Sequence, residues 1–159
     1  MRLPAARQLL VLALLVSALL ALAIGSMWND SATADEAAHI ASGLLKLQDG
    51  RLDFYATQAP LVEAIEALPL ALAGYRVPES ATAYGNRPWV VGHILLYRSG
   101  YDAQTILRIA RLPAIAMLLA LCLSVFWFVR SVTGSDAAGL AALTLTAFSP
   151  TLLAHGRFP

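Results

Sequence analysis

The chain has 159 residues, of which 58% are hydrophobic and only 13% charged, and its formal net charge is +1. A soluble domain carries roughly a quarter charged residues, so lipid is expected to form part of this chain's solvent. A near-neutral balance without a dense Lys/Arg patch argues against nucleic acid as a partner. The lone Cys122, set inside an apolar run, excludes an internal disulfide.

The first element, residues 8–26, contains no charge and is long enough to cross a hydrocarbon core of about 30 Å as a helix. A second reading of this stretch is a signal peptide, with Arg2 and Arg7 ahead of the apolar core and Ala32-Thr33-Ala34 as the cleavage site. The length of the run and its distance from Ala34 favour an anchor.

Residues 27–111 then form a large connection with helical signals of its own. Thr33 and Glu36 make a T-x-x-E capping box. Ile40, Leu44 and Leu47 follow at helical spacing until Asp49-Gly50 closes the segment. A second helix is predicted over residues 61–75, where Glu63 and Glu66 share one face and the rest is apolar. That pattern suits a helix lying in the membrane interface or covering a transmembrane bundle. The stretch from Trp89 to Tyr97 is mostly apolar and carries aromatics of the kind favoured at headgroup depth. Asp102 is placed to cap a helix that runs through Thr105, Ile106 and Ile109 into the next span.

Residues 112–129 form a second span, with Pro113 tolerable in its first turn. Residues 137–154 form a third, which Phe148-Ser149-Pro150 should kink or end. The short turn from Arg130 to Asp136 makes these two a helical hairpin. Arg2, Arg7 and Arg130 put the N-terminus and this turn in the cytoplasm, and the 27–111 connection on the external, periplasmic or lumenal face. Arg98, Arg108 and Arg111 then lie on the face where arginine is disfavoured and call for an anionic partner. The expected fold is an all-α membrane protein with three transmembrane helices and a large helical external loop between the first and second. The cytoplasmic membrane is its expected place.

Asp35 and Glu36 stand side by side just beyond the first span. First-turn acids complement a helix dipole, yet a carboxylate at a membrane surface is also what a proton-abstracting site needs. Arg108 and Arg111, three apart, share roughly one helix face, and guanidinium matches phosphate bidentately. Snorkelling to the interface or binding ordinary anionic lipid would place the same arginines there. Arg157 and His155 end the third span and could join them. Asp35 and His39, four apart, could share a metal ion, but no second His or Cys pair at ligand spacing accompanies them. No metal and no cofactor is expected.

Several pieces now stand in order: the anchor; Asp35-Glu36 with His39 and Gly43; Gly50 ahead of Gln58-Ala59-Pro60-Leu61 and Ala67-Leu68-Pro69-Leu70; Ile109-Ala110-Arg111-Leu112-Pro113; Gly134; and Phe148-Ser149-Pro150 through His155-Gly156-Arg157. As an ordered set they resemble the N-terminal end of a polyprenyl-phosphate-sugar-dependent glycosyltransferase of the GT-C membrane class, in the protein-mannosyltransferase-like branch. The resemblance implies inverting transfer of a sugar from a polyprenyl-phosphate donor to an acceptor hydroxyl. It implies Asp35 as general base, Glu36 as its support, Arg108, Arg111 and Arg157 as ligands of the lipid phosphate, and His39 and His155 as supporting residues.

Where that family often has His-Pro-Pro-Leu, this chain has Gln58-Ala59-Pro60-Leu61, so any role of that histidine is absent. The family also continues beyond the His-Gly-Arg element into a second external loop and further spans. The chain is therefore expected to be the N-terminal portion of a larger enzyme, inactive alone, with the C-terminal part as a partner alongside membrane lipids. The alternative is a small non-catalytic membrane protein that binds lipid or a partner subunit. A transporter fits less well, because no charged residue interrupts any span.

Overall fold

A computed structural model describes residues 4–158. Among these the chain is all-helical and divides into two compact units: one holds residues up to Trp28 together with Ile115–Phe158, the other Asn29–Ala114. Eight helices follow in chain order: α1 (Ala5–Met27), α2 (Glu36–Asp49), α3 (Pro60–Leu72), α4 (Glu79–Thr82), α5 (Pro88–Tyr97), α6 (Ala103–Thr133), α7 (Asp136–Ala147) and α8 (Pro150–His155).

In the first unit, α1 and α6 are long and apolar enough to cross a membrane. The third expected span is broken. Ser149 and Pro150 stop the helical ladder, so residues 137–154 become α7 and the six-residue α8, neither of which has the length of a span. The reason is local, since proline lacks the N–H that the turn before it needs. The hairpin turn is as expected. Gly134 takes a left-handed φ of 65°, Ser135 caps α7 by accepting from the Ala138 N–H, and Arg130 pairs with Asp136 at 2.6 Å. Leu19 of α1 packs with Leu118, Cys122 and Phe126 of α6 and with Leu140 and Leu143 of α7.

The second unit is built around α2, against which α3 and α5 both pack. Two glycines permit this. A methyl on Gly43 would stand 2.1 Å from the Glu63 carbonyl oxygen, and one on Gly92 would stand 2.3 Å from that of Ala37. The helices therefore meet backbone to backbone, and Ile40, Leu44 and Leu45 of α2 fill the core with Phe54, Leu70, Val91, Leu95 and Ile106. α2 ends where the sequence says it should, with Gly50 at φ 66° as a left-handed cap. Asp102 caps α6 by accepting from both the N–H and the hydroxyl of Thr105, and these bonds hold its carboxyl below the usual range. This start lies well ahead of residue 112, so Pro113 falls inside α6 and not in its first turn.

α3 is turned inside out relative to the surface of a water-soluble protein. Its acids Glu63 and Glu66 face the unit's interior, while Leu61, Val62, Ile65, Leu68 and Leu72 face outward.

Gly43→Ala should lower the thermal midpoint in detergent by several degrees, because overpacking a close helix crossing costs about 1–3 kcal/mol. Gly25→Ala, where an added methyl meets nothing within 4 Å, should leave the midpoint unchanged or raised.

Candidate functional site

The second unit carries three buried acids and two buried cations, and their pairing defines the site. Glu36, the first residue of α2, is fully buried. Its carboxylate takes a bidentate clamp from Arg111 of α6, with Nε at 2.7 Å and Nη2 at 2.8 Å, and it also accepts from the Thr33 N–H at 3.0 Å. The same guanidinium donates to the carbonyls of Asp30 and Ser31, so it fastens the segment leading into α2. The predicted capping box is thus half made and shifted. Glu36 reaches back to Thr33, but the residue preceding the helix is Asp35.

The geometry gives two of the expected site residues structural partners. Arg111 was expected on a lipid phosphate, yet it is wholly buried and spent on Glu36 and two carbonyls. Glu36, expected to support a base or orient an acceptor, has no face toward solvent. Two opposite charges in a core find each other because each alone would lose its hydration without return.

Asp35, one residue earlier, takes the opposite environment. It is exposed, and its Oδ1 accepts from the indole N–H of Trp89 on α5 at 3.0 Å. Trp89 packs edge-on against Tyr55, with ring centroids 5.4 Å apart, and Tyr55 lies the same distance from the His39 ring. Tyr55 holds a left-handed φ of 54°, the only such non-glycine residue among those described. Asn86 clamps this turn, accepting from the Tyr55 N–H and donating to the Asp53 carbonyl. A strained backbone maintained by a side-chain clamp is more common at functional sites than elsewhere. Gln58, which stands where the resembled family has histidine, directs its amide at the Tyr55 hydroxyl, 3.5 Å away.

Beneath this rim lies a second polar cluster. His39, Ser42 and Lys46 occupy one face of α2 and all meet Glu63 of α3: His39 Nδ1 at 3.0 Å, the Ser42 hydroxyl at 2.8 Å and the Lys46 ammonium in direct contact. Lys46 also donates to the Phe54 carbonyl. Glu36 and Glu63 therefore each hold a buried cation. Glu66 does not share in either pair, and burial, with the negative charges of Glu63 and Glu36, pushes its carboxyl from the ordinary 4.5 up to about 7.

Of the remaining expected residues, Arg108 is half-buried on α6 within the second unit. His155 and Arg157 belong to the first unit. There Arg157 stacks over Phe158 and lines an open cleft with Ser26 and Leu153. No group of three metal-ligating side chains occurs among the described residues. Sequence reading missed Ser42 and Lys46, and it gave Glu63 a shared face with Glu66 on a helix lying in the interface or covering a transmembrane bundle, without a partner. The available signal was the spacing of His39, Ser42 and Lys46, which puts three polar groups on one side of an otherwise apolar helix. No family model, curated protein or solved structure matches the chain.

Glu36→Met and Arg111→Met should each destabilise the chain by about 3–5 kcal/mol, since each leaves a buried charge unpaired. The double variant should lose much less than the sum in a denaturation cycle. Glu66 gives a pH signature. Between pH 4.5 and about 7 the folded chain keeps a proton that the unfolded chain has released, so stability falls as pH rises through that window and levels off above it. Glu66→Gln should remove this slope, which makes the variant more stable than the parent at pH 8 and nearly equal to it near pH 4.5.

Proposed function

We propose that the chain contributes the acceptor-activating part of a membrane glycosyltransferase that uses a polyprenyl-phosphate-linked sugar. In this reading α1 and α6 cross the cytoplasmic membrane, the α7–α8 segment completes the membrane-embedded portion, and the α2–α5 unit lies on the external face. Asp35 takes the acceptor hydroxyl's proton as that oxygen attacks the anomeric carbon. The lipid phosphate leaves with the bonding electrons, and Arg108, half-buried on α6, is the guanidinium assigned to meet it in this reading.

The observation that carries the reading is the separation of the two neighbouring acids. Glu36 is sequestered on Arg111, whereas Asp35 stays open to solvent and is aimed by the Trp89 indole. A general base must reach the proton it removes and must be held in place. The pair meets both requirements, with one residue anchoring the turn and the other left accessible. Tyr55 and Trp89 add aromatic surface beside the carboxylate, of a kind that can lie against a sugar ring. The ordered motifs of the sequence supply the substrate class.

The test is sugar transfer from polyprenyl-phosphate donors to hydroxyl acceptors, in membranes expressing the complete coding region. Asp35→Asn should lower kcat by about a hundredfold or more, the usual contribution of a positioned base, with protein level and thermal midpoint unchanged. Full activity in that variant removes Asp35 from the reaction, whereas no transfer by the parent itself favours a non-catalytic lipid- or partner-binding protein.

A further inference from the structure

The inverted face of α3 has no part in the proposed chemistry. Leu61, Val62, Ile65, Leu68 and Leu72 recur at helical spacing and form one aliphatic stripe, with Leu61 71% and Leu72 80% exposed. On the opposite side Glu63 and Glu66 are 2% and 6% exposed. A helix at the surface of a water-soluble protein buries its apolar stripe and exposes its acids. Here Glu63 is held inside by Lys46, Ser42 and His39, and the backbone contact at Gly43 fixes α3 in that rotation, which carries Glu66 inward as well.

We propose that the outward stripe of α3 beds into the boundary between headgroups and acyl chains of the bilayer that α1 and α6 cross. Chain continuity puts a bilayer within reach. α1 ends at Met27 and the unit containing α3 begins at Asn29, while the same unit runs out through Ala114 within α6. Chemistry favours lipid over a protein partner. Protein interfaces concentrate Trp, Tyr and Arg in their energetic centres, with Leu and Val under-represented. This stripe holds only Leu, Val and Ile, and no side-chain donor or acceptor. Acyl chains ask for no hydrogen bonds, and a helix of this kind settles about 5–10 Å into the interface. The proposal rests on reading α1 and α6 as spans, and is independent of sugar transfer.

The experiment uses the full chain in phosphatidylcholine nanodiscs, with Cys122 left in place because its thiol is buried. Single cysteines replace Leu61, Ile65 or Leu72 on the stripe, Ser80 on the exposed surface of α4 and Leu14 on α1, each carrying an environment-sensitive fluorophore. Stripe labels should be quenched by acyl-chain spin labels at least about threefold more strongly than the Ser80 label, and aqueous iodide should show the reverse order. A Leu14 label that escapes the lipid quencher refutes the span reading and this proposal with it. If Leu14 is quenched while the stripe labels respond like Ser80, the bilayer contact alone is overturned. Stripe labels closed to both quenchers, as beneath a protein partner, overturn it as well.

Discussion

The buried Glu36–Arg111 pair is the interaction on which the second unit depends. It joins the first turn of α2 to α6 across 75 positions of sequence, and through the carbonyls of Asp30 and Ser31 it also fixes the approach to that turn. Asp35 owes its position to this anchor. With the next residue tied down inside, the backbone at Asp35 has one course, and its side chain is carried outward to Trp89. A buried pair of this kind is weak evidence of net stability, because well-packed apolar residues could replace it. What it supplies is a single fixed arrangement of the segment that presents the exposed carboxylate.

The rest of the unit follows from two glycines on α2 and α5. Gly43 and Gly92 bring neighbouring backbones within the distance of a missing methyl group, and at such a crossing α3 has little freedom to rotate. That rotation sends Glu63 and Glu66 inward. The electrostatics are then nearly forced. Two acids find Arg111 and Lys46, and the third, Glu66, lowers its own cost by keeping a proton up to about pH 7. Close packing thus comes first and the charge arrangement second.

Much of the fold could be read from sequence where a local signal decided it. The charge-free run of α1, the Asp49-Gly50 stop of α2, the Asp102 cap of α6 and the Gly134 turn each depend on residues within one helical turn of the feature. The third span is not seen as one helix, for a reason equally local. Phe148-Ser149-Pro150 was expected to kink or end that helix, and it divides the segment into two short ones. What could not be read was any property set by a partner distant in sequence. Glu63 and Glu66 show the correct periodicity, but periodicity gives only the existence of a face and not its direction. In water the polar face points out, and here Lys46 and Gly43, some twenty residues earlier, turn it in. Arg111 likewise looks like a phosphate ligand until Glu36 is brought against it.

Asp35 and Glu36 illustrate the limit most sharply. They are adjacent acids, equally suited by type to cap a helix, complement its dipole or remove a proton, and nothing within the motif separates those roles. Adjacent residues at a helix start project in different directions, so only one can face the core while the other meets solvent. Which of them turns inward is decided by Arg111, and the two carboxylates part company there. An acidic pair of this kind is therefore not a redundant catalytic dyad. One member anchors the fold at the point where the other is displayed, so the two differ in what their removal takes away: the anchoring charge for Glu36, the exposed carboxylate held by Trp89 for Asp35.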